Sequence, residues 1–388
     1  MNKSLIPILG LTLVGLSKKF THNGSLARSP FESEKMKNRF KELNGYSIDY
    51  LSERILDQWI RLFLMLTPMI MDHYGEQIFK EDARLSQCLF SSLDTEGIVS
   101  DLIEKGADLS MYSNNCFNLR MTILTGKKIN VKPFLHIKAL DHKEYDLSNK
   151  AFLIENIKDL DFNKPENYFL LRKAMFEYAI LTKTHTNVAV EKGSNRDTKE
   201  FMLNLGFNLS KNSSLQLIDF LNSNSIALES FKEVFSSSVK HELFHLLEDP
   251  LRYKSHATSE QSVINYMSSR AERHTWGISF LDLVKYQLKT RHVLKEKFGT
   301  PILYHSYYSR FLNGDLSIYL EELLYTRNLI KDKKSYLLAM NKIKELKQNG
   351  ASQKEINDFI IKSFPIFKEP PFQYWKKIIE TYLKDLTS

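Results

Sequence analysis

The chain of 388 residues is long enough for one large domain or two ordinary ones. Hydrophobic residues make up 43% and charged residues 26%, with 25 Phe and 18 Tyr, which excludes a disordered chain and predicts a well-packed interior. The formal charge is +8. Two cysteines, Cys88 and Cys116, exclude a disulfide framework and a cysteine zinc site. The basic residues are scattered. Lys127-Lys128, Lys331 to Lys334 and Lys376-Lys377 are short clusters without interleaved aromatics, so a solvated lysine-rich surface is expected and no nucleic-acid partner.

In chain order, Lys3 precedes an apolar run from Leu5 to Leu16, closed by small residues at Gly15 and Ser17. Residues 1–20 therefore read as a short secretory signal peptide, with a secreted or periplasmic protein as the consequence. The alternative is an ordinary N-terminal segment and a cytoplasmic protein. The run falls short of the ~20 apolar residues of a membrane span, and no transmembrane span is expected. Residues 21–45, with Asn23-Gly24 and Ser29-Pro30, read as a linker.

Helical periodicity then starts at Ile48 and runs towards Leu109, as in Ile55, Trp59, Leu62 and Phe63. The period changes at Met121 to Thr125 and Ile129 to Ile137, two extended runs around Gly126-Lys127-Lys128 that predict a hairpin. Ala151 to Ile157, Asn187 to Val190 and Leu215 to Leu221 are further predicted strands. From Ser230 the pattern is helical almost to the end, broken near Asp249-Pro250, Gly299-Thr300-Pro301, Gly314 and Pro370-Pro371. The expected fold is α+β and predominantly helical: an N-terminal lobe at 46–250 and a helical C-terminal lobe at 251–388.

Chemistry concentrates in His241-Glu242-Leu243-Phe244-His245. Residues four apart share a helix face, so both imidazoles can address one point. Zinc takes imidazole nitrogen at ~2.0–2.1 Å and prefers a tetrahedral set. Glu242 is turned ~100° from His241, which suits a general base that activates water without ligating the metal. Phe231, Val234, Phe235, Val239, Leu243, Phe244, Leu246 and Leu247 surround the helix, which predicts a buried one. Buried histidines and a glutamate need a partner that satisfies them, and Zn2+ is such a partner. The plainer alternative is a partly exposed helix whose histidines only form hydrogen bonds.

These residues resemble the His-Glu-x-x-His motif of the zincin metallopeptidases, including the uncharged positions at Val239, Leu243, Phe244, Leu246 and Leu247. The metzincin branch needs a third histidine where this chain has Leu251. What remains resembles the gluzincins, which implies a small mixed sheet before a central active-site helix and a downstream glutamate as third ligand. Glu272 is the first candidate, in a helix expected from about Ser259 to Lys289 with Asn265, Ser268, Ser269, Trp276 and Ser279 on the same stripe. Gluzincins of this pattern carry Ala-Asp after that glutamate, where this chain has Thr275-Trp276, so their supporting aspartate is missing. Glu321 or Glu322 is the rival, and Glu260 is explained by a helix start alone. Glu272 could also pair with a neighbouring arginine on the surface. The resemblance further implies a transition-state donor, with Tyr304, His305, Tyr307, Tyr308, Tyr325 and His274 as candidates. It also implies carboxylates behind the histidines, from Glu248, Asp249 or Asp282.

The implied activity is zinc-dependent hydrolysis of a peptide or protein substrate, with His241, His245 and Glu272 on the metal and Glu242 as base. A catalytically inactive zincin-like binding or structural domain is the alternative, and a helical interaction protein without metal is a third.

Overall fold

The computed structural model describes residues 34–74, 119–123, 126, 128–139, 154–190, 200–209, 214–248, 270–325, 329–330 and 332–386. The signal-peptide stretch, both cysteines, Leu251 and Glu260 lie outside them. The chain forms two compact units, one of residues 39–254 and one of residues 255–388 together with the start of the chain up to Asn38. The architecture is α+β and predominantly helical. No described helix is long and apolar enough to cross a membrane.

Helix α1, Glu34–Asn44, forms where the sequence predicts linker and leads into the unit of residues 39–254. This is a correction, and its cause is a small anchor in a lysine-rich stretch. Phe40 is buried, and the Asn44 amide donates to the Thr122 carbonyl (2.8 Å) while accepting from the Thr122 N–H (2.7 Å), as a strand neighbour would. Gly45, at φ +76°, lets the helix end there. Helix α2, Ile48–Tyr74, buries a stripe one turn apart: Leu51, Ile55, Trp59 and Phe63.

A hairpin follows as predicted. Strand β1, Leu119–Thr122, pairs antiparallel with β2, Lys128–Ala139, around Gly126 at φ +81°. Then come α3 (Ile154–Ile157), α4 (Pro165–Thr182), β3 (Lys183–Val190), β4 (Glu200–Leu209), α5 (Ser214–Ser223) and α6 (Ser225–Glu248). The sheet order is β1-β2-β4-β3, with β2 and β4 parallel at the centre and the two outer pairs antiparallel. The strand expected at 187–190 is the end of β3.

The strands expected at 151–157 and 215–221 are instead helices, α3 from Ile154 and α5 over the second. Leu217 and Leu221, one turn apart, are buried with Ile218 while Leu215 faces out, so the apolar stripe of α5 has the helical period.

On one face of the sheet, β4 presents Phe201, Leu203, Leu205 and Phe207, all buried. The Phe207 ring stacks on Phe63 of α2 at 4.2 Å and meets Phe235 of α6 at 4.8 Å. Helix α6 therefore lies beside α2 and under β4, and it also packs on α4 and β3.

The unit of residues 255–388 is helical. It runs through α7 (Arg270–Phe298), α8 (Pro301–Leu312), α9 (Leu316–Tyr319) with a π-helical turn at Leu320–Tyr325, α10 (Lys333–Gln348), α11 (Gln353–Ser363), a 3₁₀ turn at Pro365–Lys368 and α12 (Pro370–Asp385). Of the predicted breaks, Gly299-Thr300 and Gly314 fall between these elements, while Pro301 and Pro370-Pro371 open α8 and α12. Helix α7 meets α12 at Gly277, where an added Cβ would stand 2.8 Å from Ile378 Cδ1 and 3.3 Å from Trp375 Cδ1.

Because Phe207 joins three elements, Phe207→Ala is expected to cost ~3–5 kcal/mol. Urea unfolding followed by tryptophan fluorescence measures it, and a loss below ~1 kcal/mol would contradict this packing.

Candidate functional site

Helix α6 carries the His-Glu-x-x-His run in its last two turns. The helix is as buried as its composition predicts: Phe231, Phe235, Val239, Leu243, Phe244 and Leu246 have little or no exposure. Three links fix its register. Arg172 of α4, only 2% exposed, donates to Glu233 at 2.7 Å. Lys240 pairs with Asp49 at 2.8 Å, and Lys232 pairs with Asp57. The last two pairs are eight residues apart on each of two antiparallel helices, so they zip α2 to α6. Each is part-exposed and contributes little by itself. Removing one partner of the Arg172 pair leaves a buried charge and costs far more. The signal for it lies in the sequence: Arg172 follows the apolar residues Tyr168 to Leu171 and precedes Ala174 to Phe176 with one residue between.

Glu242 is 9% exposed and His245 7%, whereas His241 is half-buried. The two imidazoles meet edge to face with ring centres 4.9 Å apart, and their Nε2 atoms are 3.2 Å apart. Two nitrogens ~2.0–2.1 Å from one tetrahedral ion stand ~3.3 Å apart. The pair is thus set at the spacing of two ligands on one zinc. The same spacing also suits a single hydrogen bond in which one neutral ring donates and the other accepts. His245 lies in the last turn, where the helix dipole favours positive charge.

In the other unit, Glu272 sits in the first turn of α7 and is half-buried. Of its predicted stripe, Ser279 is buried, while residues 265, 268 and 269 are outside the described ones. The rival carboxylates are engaged by arginines. The Arg310 guanidinium donates to both oxygens of Glu321, at 3.2 and 2.8 Å, a fork that fixes the carboxylate. Arg291 lies 3.9 Å from Glu322.

Arg310 also donates to Asp315 at 2.9 Å and to the Ser317 hydroxyl at 2.9 Å. Burial opposes its charge, but Glu321 and Asp315 more than offset this and hold the guanidinium protonated. Burial likewise opposes ionisation of Asp315. The Ser317 and Arg310 hydrogen bonds, with the charges of Arg310 and Lys347, outweigh it and keep the carboxyl below the usual range.

The predicted transition-state donors have other partners. Tyr307 is buried under Arg291, whose guanidinium stands 3.9 Å from the ring centre. Burial, with Glu322 nearby, drives its hydroxyl well above the ordinary range. The Tyr308 hydroxyl donates to the Leu383 carbonyl, Tyr304 stacks on Tyr308, and His305 is exposed. His274 Nδ1 lies 2.5 Å from the Tyr374 hydroxyl of α12. It is two residues from Glu272 and so ~200° round the helix from it. The Tyr325, Glu248 and Asp249 side chains lie outside the described ones. Asp282 is half-buried, 4.0 Å from Lys285.

No family model, curated protein or solved structure matches this chain.

The depressed Asp315 carboxyl fixes the sign of a pH effect. Its contribution is full above the unfolded-state value near pH ~4 and is lost as pH falls through the lower folded value. Asp315→Asn, which also weakens the cap on Ser317 N–H, is expected to cost ~1–3 kcal/mol at pH 7. The difference from the unaltered chain should shrink below pH ~4 in chemical denaturation; a pH-independent difference would contradict the charge assignment.

Proposed function

We propose that the chain is a single-zinc metallopeptidase with His241, His245 and Glu272 as ligands and Glu242 as general base. The carrying observation is the imidazole pair of α6, its Nε2 atoms at the spacing of two ligands on one ion. Glu272, the glutamate to which the gluzincin pattern of the sequence points first, is the proposed third ligand. Glu321 is instead committed to Arg310.

Zinc, when bound, lowers the pKa of a water and polarises a scissile carbonyl. Glu242 follows His241 directly but is turned ~100° round the helix. It is thereby left to take the proton of the attacking water and pass it to the leaving amine. Its burial suits that work, because a shielded base exchanges its proton with substrate before solvent. The substrate class is a peptide or protein.

Purified protein is expected to hold about one zinc per chain and to cleave members of a broad peptide library. Glu242→Gln should lower kcat by ~10²–10⁴ and keep the zinc, whereas His245→Ala should lose both. Zinc without turnover in the unaltered protein would indicate the inactive zincin-like domain. Substoichiometric zinc, or full proteolysis by Glu242→Gln, would overturn the proposal.

A further inference from the structure

Helix α10 is the most lysine-rich described helix, with five lysines and one glutamate in 16 residues. It buries only Ala339 and Ile343. The face turned away from them carries Lys334, Leu337, Leu338, Asn341, Lys344 and Glu345, all exposed and spaced at three, four and seven residues. Leu337 is 48% and Leu338 61% exposed. Single exposed leucines are ordinary. Two adjacent ones at the centre of a basic helical face are a different arrangement, the one by which an amphipathic helix lies on a lipid surface.

The charges on this face are mostly uncommitted. Lys342 pairs with Glu345 at 2.6 Å, and Lys347 reaches Asp315 at 3.4 Å. Asp332 caps the helix through the Lys334 and Ser335 N–H groups. Lys333 and Lys344 have no ion-pair partner among the described residues. Positive charge flanking an apolar centre is complementary to an anionic lipid headgroup layer, where each lysine strengthens binding roughly fivefold. Nucleic acid would use the lysines but leave Leu337 and Leu338 in water.

We propose that α10 is a docking face for an anionic lipid surface, with Leu337 and Leu338 entering the headgroup layer and Lys333, Lys334 and Lys344 held by its negative charge. This stands apart from the proposed hydrolysis and uses no residue assigned to it.

The test is co-sedimentation of the full chain with vesicles of phosphatidylcholine alone, or with phosphatidylserine at roughly three to one. Binding is expected to the anionic vesicles only, and to weaken at least ~10-fold between low and high salt. Leu337→Ser with Leu338→Ser should weaken it ~10-fold or more, and Lys333→Gln with Lys334→Gln and Lys344→Gln by ~100-fold. Circular dichroism should stay unchanged, because these side chains are exposed. Three outcomes would overturn the proposal: no binding to anionic vesicles, equal binding to neutral ones, or leucine variants that bind as well as the unaltered chain. Binding to duplex DNA that needs the lysines but ignores the leucines would reassign the face to nucleic acid.

Discussion

A helix that is apolar over most of its circumference has to be covered there, and a polar group on the covered side is buried with it. Helix α6 is in that position. Helices α2 and α4 and the strands β3 and β4 cover it, and the cost of desolvating His245 and Glu242 falls on whatever those side chains meet. The unit of residues 39–254 can be understood as the means of holding this helix still. Phe207 joins it to α2 and the sheet, and Arg172 locks it to α4 through Glu233. A backbone held at this many points leaves the two imidazoles little freedom, which is what a preorganised ligand pair requires.

The unit of residues 255–388 fixes its own elements by different means. Gly277 removes a side chain where α7 meets α12, because any Cβ there would press on Ile378 and Trp375. The Trp375 indole donates to the Arg273 carbonyl at 2.9 Å, next to Glu272 in sequence. The first turns of α7 are thus tied to α12 by a hydrogen bond and by close packing. Further along, Arg310 gathers Asp315, Ser317 and Glu321 into one network. Glu321 is thereby tied into structure, although the sequence offers it as a rival to Glu272.

Periodicity made α2, α6, α7 and the hairpin legible, since each carries a long or clean apolar pattern. The same logic misread α5, where Leu215 and Leu217 alternate like a strand but only the spacing of Leu217 and Leu221 is buried. Strand β4 went unnoticed, although Phe201, Leu203, Leu205 and Phe207 alternate without a break. In the candidate site, the four-residue spacing of His241 and His245 made the close imidazole pair legible. The engagement of Glu321 by Arg310 was not legible, because packing brings those two side chains together. The same holds for the tyrosines. Tyr307 and Tyr308 are alike in sequence, yet one is buried under Arg291 and the other bonds to Leu383.

The parallel pairing of β2 with β4 joins Asn130 to Glu200 and Ala139 to Leu209. The chain has to close a loop of about seventy residues before that ladder forms, and such closure slows folding. The histidine-bearing helix makes its own hydrogen bonds locally, whereas its packing partners α2 and β4 stand far from it in sequence or in another element. The ion pairs of α2 with α6, Lys232 with Asp57 and Lys240 with Asp49, close a longer span still, so the seat of this helix rests on contacts made far along the chain.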